Sequence, residues 1–247
     1  MKIRLLLPLL LAPFAFAADP GFKSIFNGKD LSGWEGLPGY WSVRDGALTG
    51  QTTAEKPLKS NTFLIYKDSQ PANFELRVQF RLTAQNPQGF GNSGIQYRSK
   101  VVDAAGFVVA GYQADLDTTG KYAGMLYEEK GRGILMGPGE KIRIGATTMV
   151  DDTKKKGGSR PKTEVEKLPG ATPPAEILAA YKLGEWNEMV IIANGNHLQH
   201  FINGKLTADV TDASTTHASK SGVIAFQIHV GQPMTVQFKD VKLKTLP

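Results

Sequence analysis

Residues 74–83 alternate without a break. Phe74, Leu76, Val78 and Phe80 fall on one side, and Glu75, Arg77, Gln79 and Arg81 on the other. A period of two sends successive side chains to opposite sheet faces, so this segment must be a β-strand with one face in a core. The rhythm recurs along the chain, with further candidate strands at 41–43, 47–50, 61–66, 94–98, 111–117, 124–128, 186–194, 197–202, 222–230 and 235–244. Asp45-Gly46, Asn194-Gly195-Asn196 and Asn203-Gly204 supply the left-handed residues that hairpins require. No stretch reads as a βαβ unit. These features predict an all-β, two-sheet antiparallel sandwich. Its rhythm is broken by a long loop insertion over about 149–185, with a short helix near 174–182. Loops of that length in a domain are lids, binding loops or disordered segments.

Three strands carry an unusual polar face: Gly94-Ile95-Gln96-Tyr97-Arg98, Gly111-Tyr112-Gln113-Ala114-Asp115-Leu116-Asp117 and Ala225-Phe226-Gln227-Ile228-His229-Val230. Ordinary solvent faces carry Lys, Glu, Thr and Ser. A face of Gln, Arg, Asp and His separated by Gly and Ala has the chemistry of a shallow binding surface.

The first 17 residues read as a signal peptide. Lys2 and Arg4 precede an apolar run, and Ala15-Phe16-Ala17 is a cleavage site. Cleavage after Ala17 predicts a periplasmic or secreted protein, with residues 18–247 forming one domain, since single all-β domains run to about 200–250 residues. The chain has no Cys, which excludes thiol catalysis, thiolate metal sites, disulfides and a lipid-anchored N-terminus. Removing Lys2 and Arg4 from 29 basic side chains leaves a charge of +4 against 23 acidic ones. Part of that surplus, Lys154-Lys155-Lys156 and Arg160-Pro161-Lys162, sits in the Gly/Pro/Ser-rich insertion. A nucleic-acid surface would interleave such residues with aromatics on one face, so neither a nucleic-acid partner nor a membrane anchor is expected.

Several side chains are candidates for chemistry. His229 is held on a strand beside Gln227 and titrates near neutrality, so it can move a proton. Asp115 and Asp117 are about 7 Å apart along their strand. They can raise one another's pKa as a base would need, or hold a hard divalent cation. Asp117 also opens Asp117-Thr118-Thr119-Gly120, where it can cap a turn. Arg98 shares a face with Gln96 and can stabilise an oxyanion, or pair with Asp115 or Asp117. Tyr127, Glu128 and Arg132 flank glycines on a tight loop that can project over the groove, or form a surface salt bridge. Trp34, Trp41 and Trp186 read as core residues. His197 and His200 are three apart and point to opposite faces, which argues against shared zinc. No P-loop, Rossmann fingerprint, G-x-S-x-G elbow or Glu-x-Asp-x-x-Glu glucanase motif is present.

A set of motifs carries a family resemblance. In order they are Phe26-Asn27-Gly28-Lys29-Asp30-Leu31-Ser32-Gly33-Trp34, Trp41-Ser42-Val43-Arg44-Asp45-Gly46, Asn92-Ser93-Gly94-Ile95 with Arg98, Tyr127-Glu128-Glu129-Lys130-Gly131-Arg132-Gly133, Gly184-Glu185-Trp186-Asn187 and Phe238-Lys239-Asp240-Val241. Together they resemble the 3-keto-disaccharide hydrolase family. The resemblance implies a concanavalin A-like jelly roll that binds carbohydrate on its concave sheet and cleaves 3-keto-glycosides by removing the proton on C2. On that reading His229 or Asp115 is the base and Arg98, or a divalent cation in its place, stabilises the enolate. Gln96, Gln113, Gln227, Tyr127, Glu128 and Arg132 contact the sugar. A non-catalytic carbohydrate-binding module on the same scaffold, or an envelope partner that docks through the basic loop, are the other readings.

Overall fold

The computed structural model describes residues 20–152 and 158–247. The expected signal peptide and Lys154, Lys155 and Lys156 lie outside them. Along the chain come β1 (Lys23–Ser24), β2 (Trp34–Glu35), β3 (Trp41–Arg44), β4 (Ala47–Gln51), β5 (Thr62–Tyr66) and β6 (Phe74–Ala84). Then follow β7 (Asn92–Asp103), β8 (Val108–Asp117), β9 (Leu126–Glu129), β10 (Gly133–Ile134), β11 (Lys141–Asp151) and β12 (Ser159–Lys167). After helix α1 (Pro174–Ala180) come β13 (Asn187–Asn194), β14 (His197–Ile202), β15 (Lys205–Asp212), β16 (Val223–Ile228) and β17 (Met234–Thr245).

One sheet runs β12-β11-β15-β14-β13-β6-β17-β4-β3, with β1 paired to β17; the other runs β10-β9-β8-β7-β16-β5-β2. Among the described residues every pairing is antiparallel except β11 with β15, and the architecture is the expected jelly-roll sandwich. The apolar face of β6 meets Ile95, Tyr97, Phe226 and Ile228 in one core between the sheets. Phe226 stacks on Phe238 at 4.0 Å and on Trp34 at 4.9 Å, which joins the two layers. His200 is buried there and bonds the Gly124 carbonyl at 2.9 Å and the Tyr97 hydroxyl at 2.8 Å. The carbonyl can only accept, so Nδ1 carries the proton. Burial pushes the ring down to about 4, and it stays neutral.

Two expectations need correction. Much of the supposed loop insertion is a β-ribbon. β11 buries Ile142 and Ile144 where it meets β15, then continues past the sheet paired only to β12. Its outer part is mostly polar and its apolar residues Met149 and Val150 are adjacent, on opposite faces, so no apolar alternation announces it. Trp186 is not core: it lies half-buried on the outer face of the larger sheet, with the Arg81 guanidinium 5.0 Å and the Lys239 ammonium 4.2 Å from its ring.

The smaller sheet is covered over half of its outer face. The β7–β8 hairpin bends back until Phe107 accepts a hydrogen bond from the Phe63 N–H at 2.9 Å, and Gly106 one from the Thr62 hydroxyl at 2.9 Å. β5 and β8 are not neighbours in the sheet, so this contact runs over its surface. A second apolar cluster of Phe63, Ile65, Val108, Val109, Val223 and Ala225 fills the space beneath. The bend requires close backbone approach. A Cβ on Gly222 or Gly111 would collide with Ser99.

Candidate active site

The uncovered half of that face holds a polar cleft of about 200 Å³. Its walls are Asn61, Asn92, Gln113, Asp115, Tyr122, Met125, Tyr127, Glu129, Ile134, Gln227 and His229. β8 supplies Gln113 and Asp115. β9 supplies Tyr127 and Glu129 in the same parity, because Gln113 pairs with Tyr127. β16 and its end supply Gln227 and His229.

Asp115 is held asymmetrically. Its Oδ1 accepts from the Leu116 N–H at 3.1 Å, the Gln113 amide at 3.1 Å and the Asn92 amide at 3.4 Å. Among the described residues Oδ2 has no donor. Burial pushes the carboxyl up to about 7, assisted by the charge of Asp117 and opposed by those three hydrogen bonds. Glu129 is also raised by burial, and its Oε2 accepts from Gln227 at 3.2 Å and Asn61 at 3.4 Å. His229 bonds the Val230 carbonyl through Nδ1, so that nitrogen carries the proton and Nε2 keeps its lone pair. Burial lowers its pKa, which keeps the ring neutral at pH 7. The Tyr127 phenol is raised by burial and by the charges of Glu129 and Asp115, so it remains a donor. The Gln227 Oε1, buried at the cleft floor, has no donor among the described residues.

The expected site residues divide. His229, Asp115, Gln113, Gln227 and Tyr127 come together in the cleft; Arg98, Gln96, Glu128, Arg132 and Asp117 do not line it. Arg98 sits in a bulge at φ +47°, where the register shifts between Tyr97 and Lys100. Its side chain therefore turns away from Gln96. It donates to the carbonyls of Ala72 at 2.8 Å, Gly195 at 2.7 Å and Ser219 at 3.2 Å, and to neither Asp115 nor Asp117. An oxyanion in the cleft is out of its reach. Gln96 lies fully buried and donates to Gln113 Oε1 at 2.8 Å, so it orients Gln113 rather than a sugar.

Glu128 and Arg132 face the interior. Arg132 bonds Glu128 at 2.6 Å and Asp212 at 2.6 Å, and Asp212 also accepts from the Tyr112 hydroxyl at 2.5 Å. That is a buried network, not a surface salt bridge. Asp117 is buried beside the turn and accepts from the Thr119 hydroxyl at 2.7 Å. Among the described residues no group of three or more His, Cys, Asp or Glu side chains is placed to hold a metal ion. Glu129, Asn61, Asn92, Tyr122, Met125 and Ile134 were missed by the sequence reading. Strand parity from Tyr127 points to Glu129 instead of Glu128.

The profile of the 3-keto-alpha-glucoside-1,2-lyase-like domain matches residues 21–244. The chain belongs to that family. No curated protein sequence matches it. Among solved structures, a Parabacteroides distasonis protein assigned provisionally as a glycosyl hydrolase is 22% identical. It superposes with a TM-score of 0.55 over 92% of this chain and 94% of its own. A second protein from that organism with the same provisional assignment gives 0.53 at 18% identity over 91% and 99%. The carbohydrate-binding module CBM66 of Bacillus subtilis gives 0.51 at 13% identity over 86% and 96%. At these identities the likeness establishes the fold. Family membership makes this lyase-like domain a carbohydrate-active protein.

Within the lyase-like domain, Gly94 sets the cleft. It pairs with Asp115 on β8, and a Cβ there would drive into the Gln113 amide. Gly94→Ala is expected to cost about 1–3 kcal/mol of stability by overpacking. It should also lower kcat/KM at least tenfold by displacing Gln113 from Asp115. Denaturant melts and steady-state kinetics check both.

Proposed function

We propose that the cleft cleaves 3-keto-glycosides by elimination, with His229 as base and Asp115 as acid. The observation that carries this reading is the complementary state of those two groups. The neutral imidazole presents a lone pair, while a carboxyl near pKa 7 presents an unencumbered oxygen that can carry a proton. In the first step His229 Nε2 takes the proton from C2, and the bonding pair moves into an enolate on the C3 oxygen. The Tyr127 hydroxyl is the donor proposed for that oxygen in place of Arg98. The enolate then re-forms its carbonyl as the C1–O bond breaks, leaving a C1=C2–C3=O enone. Asp115 Oδ2 gives its proton to the departing oxygen. For hydrolysis the ionised Asp115 accepts a proton from water adding at C1, and His229 returns a proton to C2. The orphan Gln227 carbonyl offers an acceptor to a sugar hydroxyl.

Double displacement by paired carboxylates is disfavoured by the site. It needs one carboxyl ionised and low beside one raised, whereas burial raises both Asp115 and Glu129. Turnover of a 3-keto-glucoside in deuterium oxide tests the proposal. Elimination and rehydration place solvent deuterium on C2 of the released sugar; direct displacement leaves that position protonated. Absence of turnover, with or without chelator, would also overturn it.

A further inference from the structure

A cavity of about 670 Å³ opens at one end of the sandwich, separate from the cleft. It lies between the loop at Ala72 and Asn73, the Gly195-Asn196 turn and the Ser/Thr-rich segment 213–220. Its size falls within the range of small-molecule sites, about 300–1,000 Å³. Arg98 reaches it, with only 2% of the residue exposed. A guanidinium buried to this degree ordinarily has a carboxylate partner, but the acceptors of Arg98 are three backbone carbonyls and the Asn73 amide oxygen. Its Nε hydrogen and both Nη1 hydrogens are used by the carbonyls. Nη2 makes a single 3.4 Å contact to Asn73, leaving one N–H without an acceptor. Asp212 also lines the cavity, but its carboxylate is already engaged by Arg132 and the Tyr112 hydroxyl. Lys220 at the mouth has no acidic partner among the described residues, and the Thr215 hydroxyl beside it has no bond there either.

We propose that this cavity is a second ligand site, for a sugar bearing a carboxylate, with Arg98 and Lys220 receiving the acid and Thr215 a ring hydroxyl. One free guanidinium hydrogen and one ammonium suit a monoanion better than a phosphate dianion. The unbonded Thr215 hydroxyl suits a ring hydroxyl, and the apolar stretch of Ala72, Leu198 and Ala213 suits the C–H face of a sugar ring. The site does not depend on the reaction proposed for the cleft.

Calorimetric titration of the protein with D-glucuronate, D-glucose and inorganic phosphate tests it. Because Arg98 ties three loops together, the variants are Lys220→Glu at the exposed mouth and Ala218→Trp, which fills the cavity. Glucuronate is expected to bind at least tenfold more tightly than glucose or phosphate. Lys220→Glu should weaken it at least tenfold, Ala218→Trp should abolish it, and Asp115→Asn should leave it unchanged. No heat at millimolar glucuronate, equal binding of glucose or phosphate, or binding lost in Asp115→Asn but kept in Ala218→Trp would each overturn the proposal.

Discussion

Asp115→Asn is expected to lower kcat/KM about 1,000-fold on a 3-keto-glycoside with an alcohol leaving group, and less than about tenfold on the 4-nitrophenyl analogue. The nitrophenolate departs without a proton, so only the poor leaving group needs an acid. Loss on both substrates alike would assign Asp115 to the C2 proton instead. In the wild type kcat/KM should fall as pH rises through about 7, where the acid is lost, and the Asn variant should lack that limb.

The same substitution should stabilise the protein. The folded pKa of Asp115 lies near 7, above its ordinary 3.8. Between those values the native state binds more protons than the unfolded chain, so stability contributed at this position falls as pH rises. Above 7 the full cost of a buried charge is present, on the order of 2–4 kcal/mol. Asn removes it, and its amide nitrogen can take the unencumbered Oδ2 position. The melting temperature at pH 8 should therefore rise by about 5–10 °C, with the gain vanishing towards pH 4. An equal or lower melting temperature at pH 8 would show that Asp115 is not held at a cost.

Arg132→Met is expected to have the largest effect on folding, a loss of about 3–5 kcal/mol. Arg132 is inaccessible, and so is nearly all of Glu128 and Asp212 on either side of it. Removing the cation leaves two buried carboxylates and the Tyr112 hydroxyl against them. In that variant both carboxyls should have raised folded pKa values, so the deficit should be full at pH 8 and shrink on acidification. The triple change Glu128→Gln, Arg132→Met, Asp212→Asn should recover most of it, since the charges then leave together. Chemical denaturation of the three proteins, wild type, Arg132→Met and the triple variant, at pH 5 and 8 decides. A deficit independent of pH would assign the role of Arg132 to packing rather than charge.

Strict alternation in β6 and β16 made the core face legible, and with it the polar face bearing Gln113, Asp115, Gln227 and His229. Alternation failed where the backbone leaves it. One left-handed residue at Arg98 reverses the face of everything that follows, and a guanidinium fits a polar groove and a carbonyl cage equally well in sequence. Gln96 is in phase with the cleft but lies buried beneath it, because the hairpin that folds back over the sheet is bent by backbone approaches at Gly111 and Gly222. The outer β11–β12 ribbon is invisible to hydrophobic pattern because its strands pair with each other and bury almost nothing. Glu128 and Glu129 are adjacent identical side chains, separated only by the register of β9 against β8.

The folded-back hairpin also decides how a molecule can travel. A sheet face open at both ends would let a polymer thread through and be cut internally. Here the hairpin packs Phe107 and Val108 over part of that face, so an extended polymer cannot lie along its whole length. If the cleft acts as proposed, its expected substrates are small glycosides or chain ends rather than the interior of a polymer.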